Sequence, residues 1–420
     1  MNDFLSRSVP SGSSVQSEAK SVTTLARIGR TIGFDWHIAL PSLVLTAFGL
    51  LMIYSTGGRA YFLRQLIFLP VALGGMLACY RIPRRLLYTF AYPLLAGAVV
   101  LLIAVLVLGR GPAQRWFNFG PVNFQPSEVA KIACVIALAR FLADEKKMEF
   151  SARELVVPLA LTLVLFGLVL VEPDLGSAMV FLPILGAMLY WRGMRLFHLF
   201  LLFAPVLSLI ASFHIISWVV FFVLLGVVLF WQGRTWEIVY GFASNVLVGL
   251  LAPTLASHLH EYQKARVSVF LMPWLDPKGM GWNVIQSMIA VGSGRWLGKG
   301  LLAGTQKRLD FLPNRHTDFV FSCIAEEFGL VGALLVLGCF GFLCYRFLRA
   351  AAETKDDFAS LLAFGLTAVF AYHVLVNTGM VLGLAPITGI ALPFITYGGS
   401  PLLMNYMLIG LVLNVRYKPE

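Results

Sequence analysis

Twelve apolar stretches, separated by short polar segments, limit what this chain can fold into. Each is long enough to cross the roughly 30 Å hydrocarbon core of a bilayer as a helix, the shortest with help from flanking residues. Because lipid offers the backbone no hydrogen bonds, we predict helices, since membrane strands show a weaker, alternating pattern. The stretches are residues 37–55, 62–80, 86–108, 127–143, 154–171, 176–191, 197–213, 215–231, 237–257, 318–345, 358–377 and 399–415.

The composition agrees with a chain embedded in a membrane for most of its length. It is 59% hydrophobic and 13% charged, with a mean hydropathy of +0.82, against about 45–50% and about 25% in soluble domains. We therefore predict an all-α polytopic membrane protein with about 10 to 12 transmembrane helices, in which residues 34–420 form a single domain. Residues 1–33 are polar and Ser-rich without the apolar core of a signal peptide, and we predict a disordered cytoplasmic tail.

The basic residues predict the orientation in the membrane. Arginine and lysine gather in the N-terminal tail and in alternate short loops, as at Arg81, Arg84 and Arg85, and are sparse in the other short loops. The positive-inside rule then places both termini in the cytoplasm and residues 258–317 in one large extracytoplasmic loop. Within it, WNVIQSMIAVGSG is typical of a short helix at the outer interface.

This distribution of charge also accounts for the net charge of +11. The basic residues are spread singly over loops, without the compact basic stretch interleaved with aromatics that nucleic-acid binding requires. We therefore expect no nucleic-acid partner. The five cysteines lie in or beside apolar stretches without a CxxC spacing, which indicates small core residues.

Three carboxylates open the tenth apolar stretch, in HTDFVFSCIAEEFG. Ionisable residues within a membrane are costly and are functional candidates for that reason. Asp318, at the outer end, is a candidate catalytic carboxylate, or alternatively a helix N-cap or a first-turn acid at the interface. Around a helix, Glu326 and Glu327 lie roughly 80° and 180° from Asp318, so their roles should differ. Both are candidates for substrate binding, with a structural contact to neighbouring spans as the alternative.

A second polar group opens the fourth stretch, in RWFNFGPVNFQPSEVAK. Glu128 and Lys131 are three residues apart and share a helix face. They form either an internal ion pair or a cation directed into a cavity. Arg115 precedes them and is suited to gripping a phosphate, while Trp116 is suited to stacking on a sugar or anchoring at the interface.

The outer loops supply further candidates directly before Asp318, namely Arg315 and His316, although a lone histidine is also typical of a structural role. No residue cluster predicts a metal site, and GSGRWLGKG lacks the spacing of a nucleotide-binding loop. One carboxylate among many cations and aromatics predicts a lipid-linked, phosphorylated substrate. The cations beyond those already named are Arg295, Lys299, Lys307 and Arg308.

Four long stretches resemble the SEDS family (shape, elongation, division and sporulation) of multi-span peptidoglycan glycosyltransferases, and its RodA branch more than its FtsW branch. The resemblance runs from the first span to the C-terminus. It is strongest in RWFNFGPVNFQPSEVAK, FLMPWLDPKGMGWNVIQSMIAVGSG, GTQKRLDFLPNRHTDFVFSCIAEEFGLVG and NTGMVLGLAPITGIALPFITYGGSPLLMNY.

The resemblance implies a polymerase that joins lipid II disaccharides at the outer leaflet of the bacterial cytoplasmic membrane, with Asp318 as the catalytic carboxylate. It also implies a class B penicillin-binding protein of the PBP2 type as partner, within the elongation machinery, and leaves room for a divalent cation (Mg²⁺ or Mn²⁺) at the pyrophosphate. The alternatives are a septal polymerase of the FtsW type, a lipid II flippase and a non-catalytic scaffold. A flippase calls for polar groups near the midplane, whereas the ionisable residues here cluster at outer helix ends.

One feature departs from the family, which usually has ten spans where we predict twelve. The surplus pair falls within residues 197–257. An added hairpin there preserves the topology.

Overall fold

The computed structural model describes residues 34–109, 115–119, 122–145, 152–212, 214–258, 269, 274, 280–305 and 311–416. The predicted tail at 1–33 and parts of the 258–317 loop, including Lys307 and Arg308, lie outside the described residues. A short hairpin pairs β1 (Phe117–Phe119) with β2 (Val122–Phe124). The helices are α1 (Trp36–Gly57), α2 (Arg59–Arg81), α3 (Arg84–Thr89), α4 (Ala91–Leu108), α5 (Pro126–Asp144), α6 (Ala152–Val171), α7 (Leu175–Met179), α8 (Phe181–Trp191), α9 (Leu196–Ala211), α10 (Ile215–Gln232), α11 (Thr235–His258), α12 (Met280–Ser293), α13 (Val320–Glu353), α14 (Asp357–Val381) and α15 (Gly399–Arg416).

All twelve predicted stretches are helical over most of their described residues, so the prediction of an all-α polytopic membrane protein is confirmed. Within the described part of the chain, 8 helices are long and apolar enough to cross a membrane, and two shorter apolar segments span Leu175–Trp191 and Leu196–Ala211. The WNVIQSMIAVGSG segment is helical, as predicted, and forms α12. The β1–β2 hairpin was not predicted.

Helices α2 and α15 pack closely along one another. Their closest approach is at Gly410, where a Cβ atom would lie 2.3 Å from the carbonyl oxygen of Met76. In lipid there is no hydrophobic driving force between helices, so their association depends on van der Waals packing, and small residues allow the close approach that this packing needs. Asn414 adds hydrogen bonds to the carbonyls of Tyr80 (2.8 Å) and Ile82 (2.7 Å) at the end of α2.

The surplus segment at 197–257 forms α9, α10 and α11, which pack mainly on one another, while α9 contacts α8. On α10 only Leu225, Gly226 and Leu229 are buried. The segment at 197–257, which contains the two surplus spans, therefore lies at the edge of the domain, away from the outer-side residues predicted to carry chemistry.

Ion pairs gather at the predicted cytoplasmic ends of the helices. Asp35 caps α1 and accepts hydrogen bonds from Arg346 (2.5 Å) and Arg416, which joins the start of α1 to the ends of α13 and α15. Burial of the Asp35 carboxyl acts to raise its pKa, but the two guanidinium groups outweigh burial and hold the pKa below its usual value. A further pair joins Arg192 to Asp357 at 2.8 Å.

The tenth stretch is not one regular helix. Within α13, Gly329 has φ 67° and ψ −165°, which breaks the helix after its first turns. The broken turn exposes backbone groups that would be costly in a membrane, and a loop segment satisfies them. The amides of Lys299 and Gly300 donate to the carbonyls of Glu326 and Glu327 at 3.0 Å each. This loop segment thus supplies the hydrogen bonds that the broken turn of α13 lacks.

Candidate functional site

Asp318 lies in the turn that precedes α13, at the predicted outer side. The interpretation of Asp318 as an N-cap is wrong, because the helix begins at Val320 and its N-cap is Phe319, which makes no side-chain cap bond. Asp318 is half-buried, so the chain neither seals it away nor leaves it fully in solvent. This position suits a carboxylate that meets a substrate.

Two features fix the backbone and the surroundings of Asp318. The buried Asn377 of α14 donates through Nδ2 to the carbonyl of Asp318 (3.0 Å) and to the carbonyl of Ile390 (2.7 Å). Gly389 has φ +73°, and a Cβ atom there would lie 3.7 Å from Oδ2 of Asp318. The segment between α14 and α15 therefore lies against the carboxylate, and its positive φ at residue 389 favours glycine.

Arg315 and His316 hold the turn in place. Arg315 donates through Nε to the carbonyl of Thr56 at the end of α1 (2.9 Å). The His316 ring lies 4.5 Å from the ring of Tyr61, and its carbonyl accepts from the Tyr397 amide (3.0 Å). Burial and the adjacent Arg315 charge lower the pKa of His316, so its imidazole is neutral at pH 7.

Lys131 is almost fully buried and lies between two partners. Its Nζ donates to Oε1 of Glu128 at 2.7 Å and lies 2.9 Å from Nε2 of His373 on α14. The exposed fraction of the side chain is 2% for Lys131 and 12% for Glu128. The pair occupies the first turns of α5, where Pro126 starts the helix and the carboxylate meets the positive end of the helix dipole.

Arg115 belongs to a neighbouring group centred on Asp174. Its guanidinium lies 3.5 Å from Oδ2 of Asp174, which also accepts from the Gln125 side chain at 2.9 Å. Asp174 caps α7 through the Ser177 amide. The Arg115 side chain keeps 31% of its surface exposed, so Arg115 is more accessible than Lys131. Trp116 is half-buried before β1.

Glu172 adds a second carboxyl beside this group. It is 0% exposed, and both of its carboxyl oxygens are without a hydrogen-bond partner among the described residues. Burial and the charge of Asp174 raise the pKa of Glu172 to about 8, against the smaller opposing effect of Arg115. Glu172 is therefore protonated at pH 7, and the group has one carboxylate for one guanidinium.

The segment between α14 and α15 joins these groups into one region. A Cβ atom on Gly176 would lie 2.5 Å from the carbonyl oxygen of Thr388, next to the Gly389 that contacts Asp318. The backbone amide of Gln125 donates to the hydroxyl of Ser400 at the start of α15 (3.4 Å). The segment at residues 388–389 thus contacts both Asp318 and the helix start that Asp174 caps.

Glu326 and Glu327 bind the loop that completes the broken helix. Oε1 of Glu326 accepts from Lys299 Nζ (2.7 Å) and from the Thr305 amide (2.8 Å). Glu327 accepts from Ser55 on α1 at 2.7 Å and from the Leu302 amide at 3.4 Å. Only Glu327 contacts a neighbouring span in these bonds, and both glutamates attach the loop to the membrane domain.

Sequence reasoning missed several residues of the site. Asp174 and Glu172 were detectable, because VEPDLG places two carboxyls at the outer end of the fifth stretch. Gln125, His373 and Asn377 had no such signal. The last two lie within an apolar stretch and gain a role only from residues that are distant in sequence.

The fold and the site define a class: an all-helical polytopic membrane protein with carboxyls and cations at the predicted outer ends of its helices. The sequence pattern of the FtsW/RodA/SpoVE family, described as "Cell cycle protein", matches residues 36–222 and 214–420. The chain belongs to this family.

Curated relatives match almost end to end. The chain is 34% identical to "Probable peptidoglycan glycosyltransferase FtsW" of Trichlorobacter lovleyi, over 92% of this chain and 94% of that protein. It is 36% identical to "Peptidoglycan glycosyltransferase MrdB" of Escherichia coli K12, over 91% and 94%. Relatives with both names thus match at similar levels.

Solved structures agree with this assignment. A chain of a peptidoglycan synthase complex, described for its coordination of polymerization and crosslinking, matches with a TM-score of 0.71 at 29% identity, covering 91% of this chain and 97% of that one. The rod shape determining protein RodA of Thermus thermophilus matches with a TM-score of 0.61 at 27% identity, covering 91% and 96%.

Proposed function

We propose that this protein is a peptidoglycan glycosyltransferase that joins lipid II disaccharides into glycan strands at the outer leaflet, for cell elongation and shape. We place it in the bacterial cytoplasmic membrane, with the site facing the periplasm or the cell exterior. The observation that carries the proposal is the half-buried Asp318, held by its backbone at the predicted outer end of α13. Family membership and the names of the curated relatives support it.

The chemistry requires one base and several positive charges. The 4-hydroxyl of one sugar attacks the anomeric carbon of another, the bond from that carbon to the lipid pyrophosphate breaks, and the hydroxyl proton must be taken up. A glycoside hydrolase needs two carboxyls, because an alkoxide leaving group must be protonated. Pyrophosphate leaves far more readily, so a single base with cations near the departing charge is sufficient.

The site offers these groups. Asp318 accepts the proton of the attacking hydroxyl. Arg115 binds the pyrophosphate, since a guanidinium matches phosphate oxygens in a bidentate geometry and this one is partly exposed. Lys131 adds positive charge from the interior, where a lower dielectric strengthens its field.

No step is assigned to a metal ion. Among the described residues, no three of His, Cys, Asp and Glu come close enough together to hold one. A divalent cation, Mg²⁺ or Mn²⁺, at the pyrophosphate stays a prediction.

We also propose a partner, a class B penicillin-binding protein of the PBP2 type that cross-links the new strands within the elongation machinery. The likeness to a chain from a peptidoglycan synthase complex supports an assembly of this kind. Depletion of the protein separates elongation from division: rounded cells are expected, whereas unseptated filaments would assign it to the septum.

The activity is tested with the purified protein and lipid II. Glycan strands are expected without any added polymerase. Fluorescent lipid II in vesicles separates the alternatives, because a flippase moves it across the bilayer without making strands. A scaffold would bind its transpeptidase partner and do neither, and either result would overturn the proposal.

Glu172 should set an upper pH limit on substrate binding. Its pKa of about 8 means that Glu172 is neutral below that pH and negatively charged above it. The new charge lies beside Asp174 and competes with the substrate phosphates for Arg115. We expect the apparent KM for lipid II to rise about 5- to 10-fold between about pH 7 and 9. Glu172→Gln should flatten this rise. Steady-state kinetics over this range measure it, and identical profiles for the native and variant proteins would contradict the assignment.

A further inference from the structure

We propose that His373 is a positioning residue that fixes the ammonium group of Lys131 in the site, so that the cation and the Asp318 base have a set spacing. The inference rests on the proposed glycosyltransferase activity. It concerns a side chain that lies near the predicted outer end of an apolar stretch and that the chemistry above does not use.

The contacts of Lys131 determine what His373 does. An ammonium group has three donors and no acceptor. One donor is used by Glu128 at 2.7 Å, and a second is directed at Nε2 of His373 at 2.9 Å. To accept this bond, Nε2 must carry the lone pair, so the imidazole is neutral and the positive charge stays on Lys131.

Glu128 alone would leave the ammonium group free to rotate about that single bond. The carboxylate lies three residues away on the same helix, and a flexible four-carbon stem can meet it in several rotamers. His373 lies on α14, and it therefore ties the cation to a second element. Its Nδ1 faces the backbone of Ala391, in the segment between α14 and α15, and this leaves Nε2 directed at Lys131.

Helix α14 also fixes the backbone of Asp318, through Asn377. Asn377 is four residues after His373, and residues at this spacing share a face with Cβ atoms about 5–6 Å apart. Asn377 bonds the Asp318 carbonyl at 3.0 Å, while His373 bonds Lys131 at 2.9 Å. One turn of α14 thus sets the distance between the base and the cation. These two groups act on opposite sides of the anomeric carbon, one on the attacking hydroxyl and one on the leaving pyrophosphate.

A double-mutant cycle tests this role with purified protein and lipid II. Lys131→Met is expected to lower the rate of strand synthesis about 100-fold, and His373→Leu about 10-fold. If His373 acts through Lys131, the double variant stays within about 3-fold of Lys131→Met. A purely structural histidine would instead give the product of the two losses, and that result would overturn the inference, as would full activity of His373→Leu.

Conservative variants keep the test independent of folding. His373→Gln places an amide oxygen near the Nε2 position and should retain activity within about 3-fold of the native protein. His373→Asn is equally polar but too short to reach Lys131, and it should lose about 10-fold. Equal activities for Gln and Asn would contradict the positioning role even if His373→Leu does not fold.

The native protein and a control variant separate this inference from the activity itself. Thr367→Val, also on α14, removes a hydroxyl whose bond among the described residues is to the Ala363 carbonyl of its own helix (2.7 Å), and it should polymerise like the native protein. A native protein that makes no strands would overturn the activity and the positioning role together. If the native protein is active and the double variant loses the product of the two single losses, only the positioning role would be overturned.

Discussion

Asp318→Asn is expected to lower glycan polymerisation by about 10³-fold, within the range for loss of a general base. An amide has nearly the shape of a carboxyl group but cannot accept the proton of the attacking hydroxyl. The bond from Asn377 to the backbone carbonyl of residue 318 does not depend on the side chain and should be kept in the variant. Strand synthesis from lipid II by the purified variant is the measurement.

A matched control makes this result specific. Asp357→Asn is the same chemical change at the predicted cytoplasmic end, where the side chain is 62% exposed and pairs with Arg192. An exposed pair contributes about 0–1 kcal/mol, so this variant should polymerise normally. Undiminished strands from Asp318→Asn would remove the residue from the mechanism. Loss of lipid II binding without an effect on turnover would move it to a binding role.

The helices could be predicted from sequence because the bilayer leaves the backbone few choices. A stretch of about 20 apolar residues must be a helix there, whatever it packs against. For this reason the predicted stretch at 215–231 and the helix Ile215–Gln232 agree within one residue at each end. The polar residues at outer helix ends were also detectable, since each departs from an apolar background, as Lys131 does.

The partners of those residues could not be predicted, because they are set by packing between distant segments. Lys131 and His373 are 242 positions apart, and Asn377 and Asp318 are 59 apart. A histidine within an apolar stretch also suits a structural role. For Lys131 the sequence was compatible with an internal ion pair or with a cation directed into a cavity. The structure shows the pair with Glu128 and a buried ammonium group.

The break in α13 was hidden from the sequence for a similar reason. EEFGLVG is compatible with a continuous helix, and Gly329 by itself only lowers the helix propensity. The break becomes favourable because residues 295–300 supply the missing hydrogen bonds, as when Leu330 donates to the carbonyl of Arg295 at 2.8 Å. The two glutamates inside the apolar stretch then have a clear role, since they bind the same loop.

Gly298→Ala should strongly destabilise this junction. Gly298 has φ +79°, and a Cβ atom there would lie 2.1 Å from the carbonyl oxygen of Glu327, a backbone atom that cannot move aside. We expect a loss of about 4 kcal/mol in the free energy of unfolding, at the upper end for single substitutions. Thermal unfolding in detergent measures it, and strand synthesis should fall as the loop detaches.

Gly300→Ala is the matched control for that clash. Gly300 also has a positive φ, +97°, but the nearest atom to a Cβ there is the Cβ of Ala303 at 4.0 Å. The two variants share the backbone strain of about 1–2 kcal/mol that a positive φ imposes on alanine. Only Gly298→Ala adds the collision with α13, so the difference between them measures the contact between loop and helix. Equal stabilities would show that the loop does not lie against the broken turn, and the explanation for Glu326 and Glu327 would fail with it.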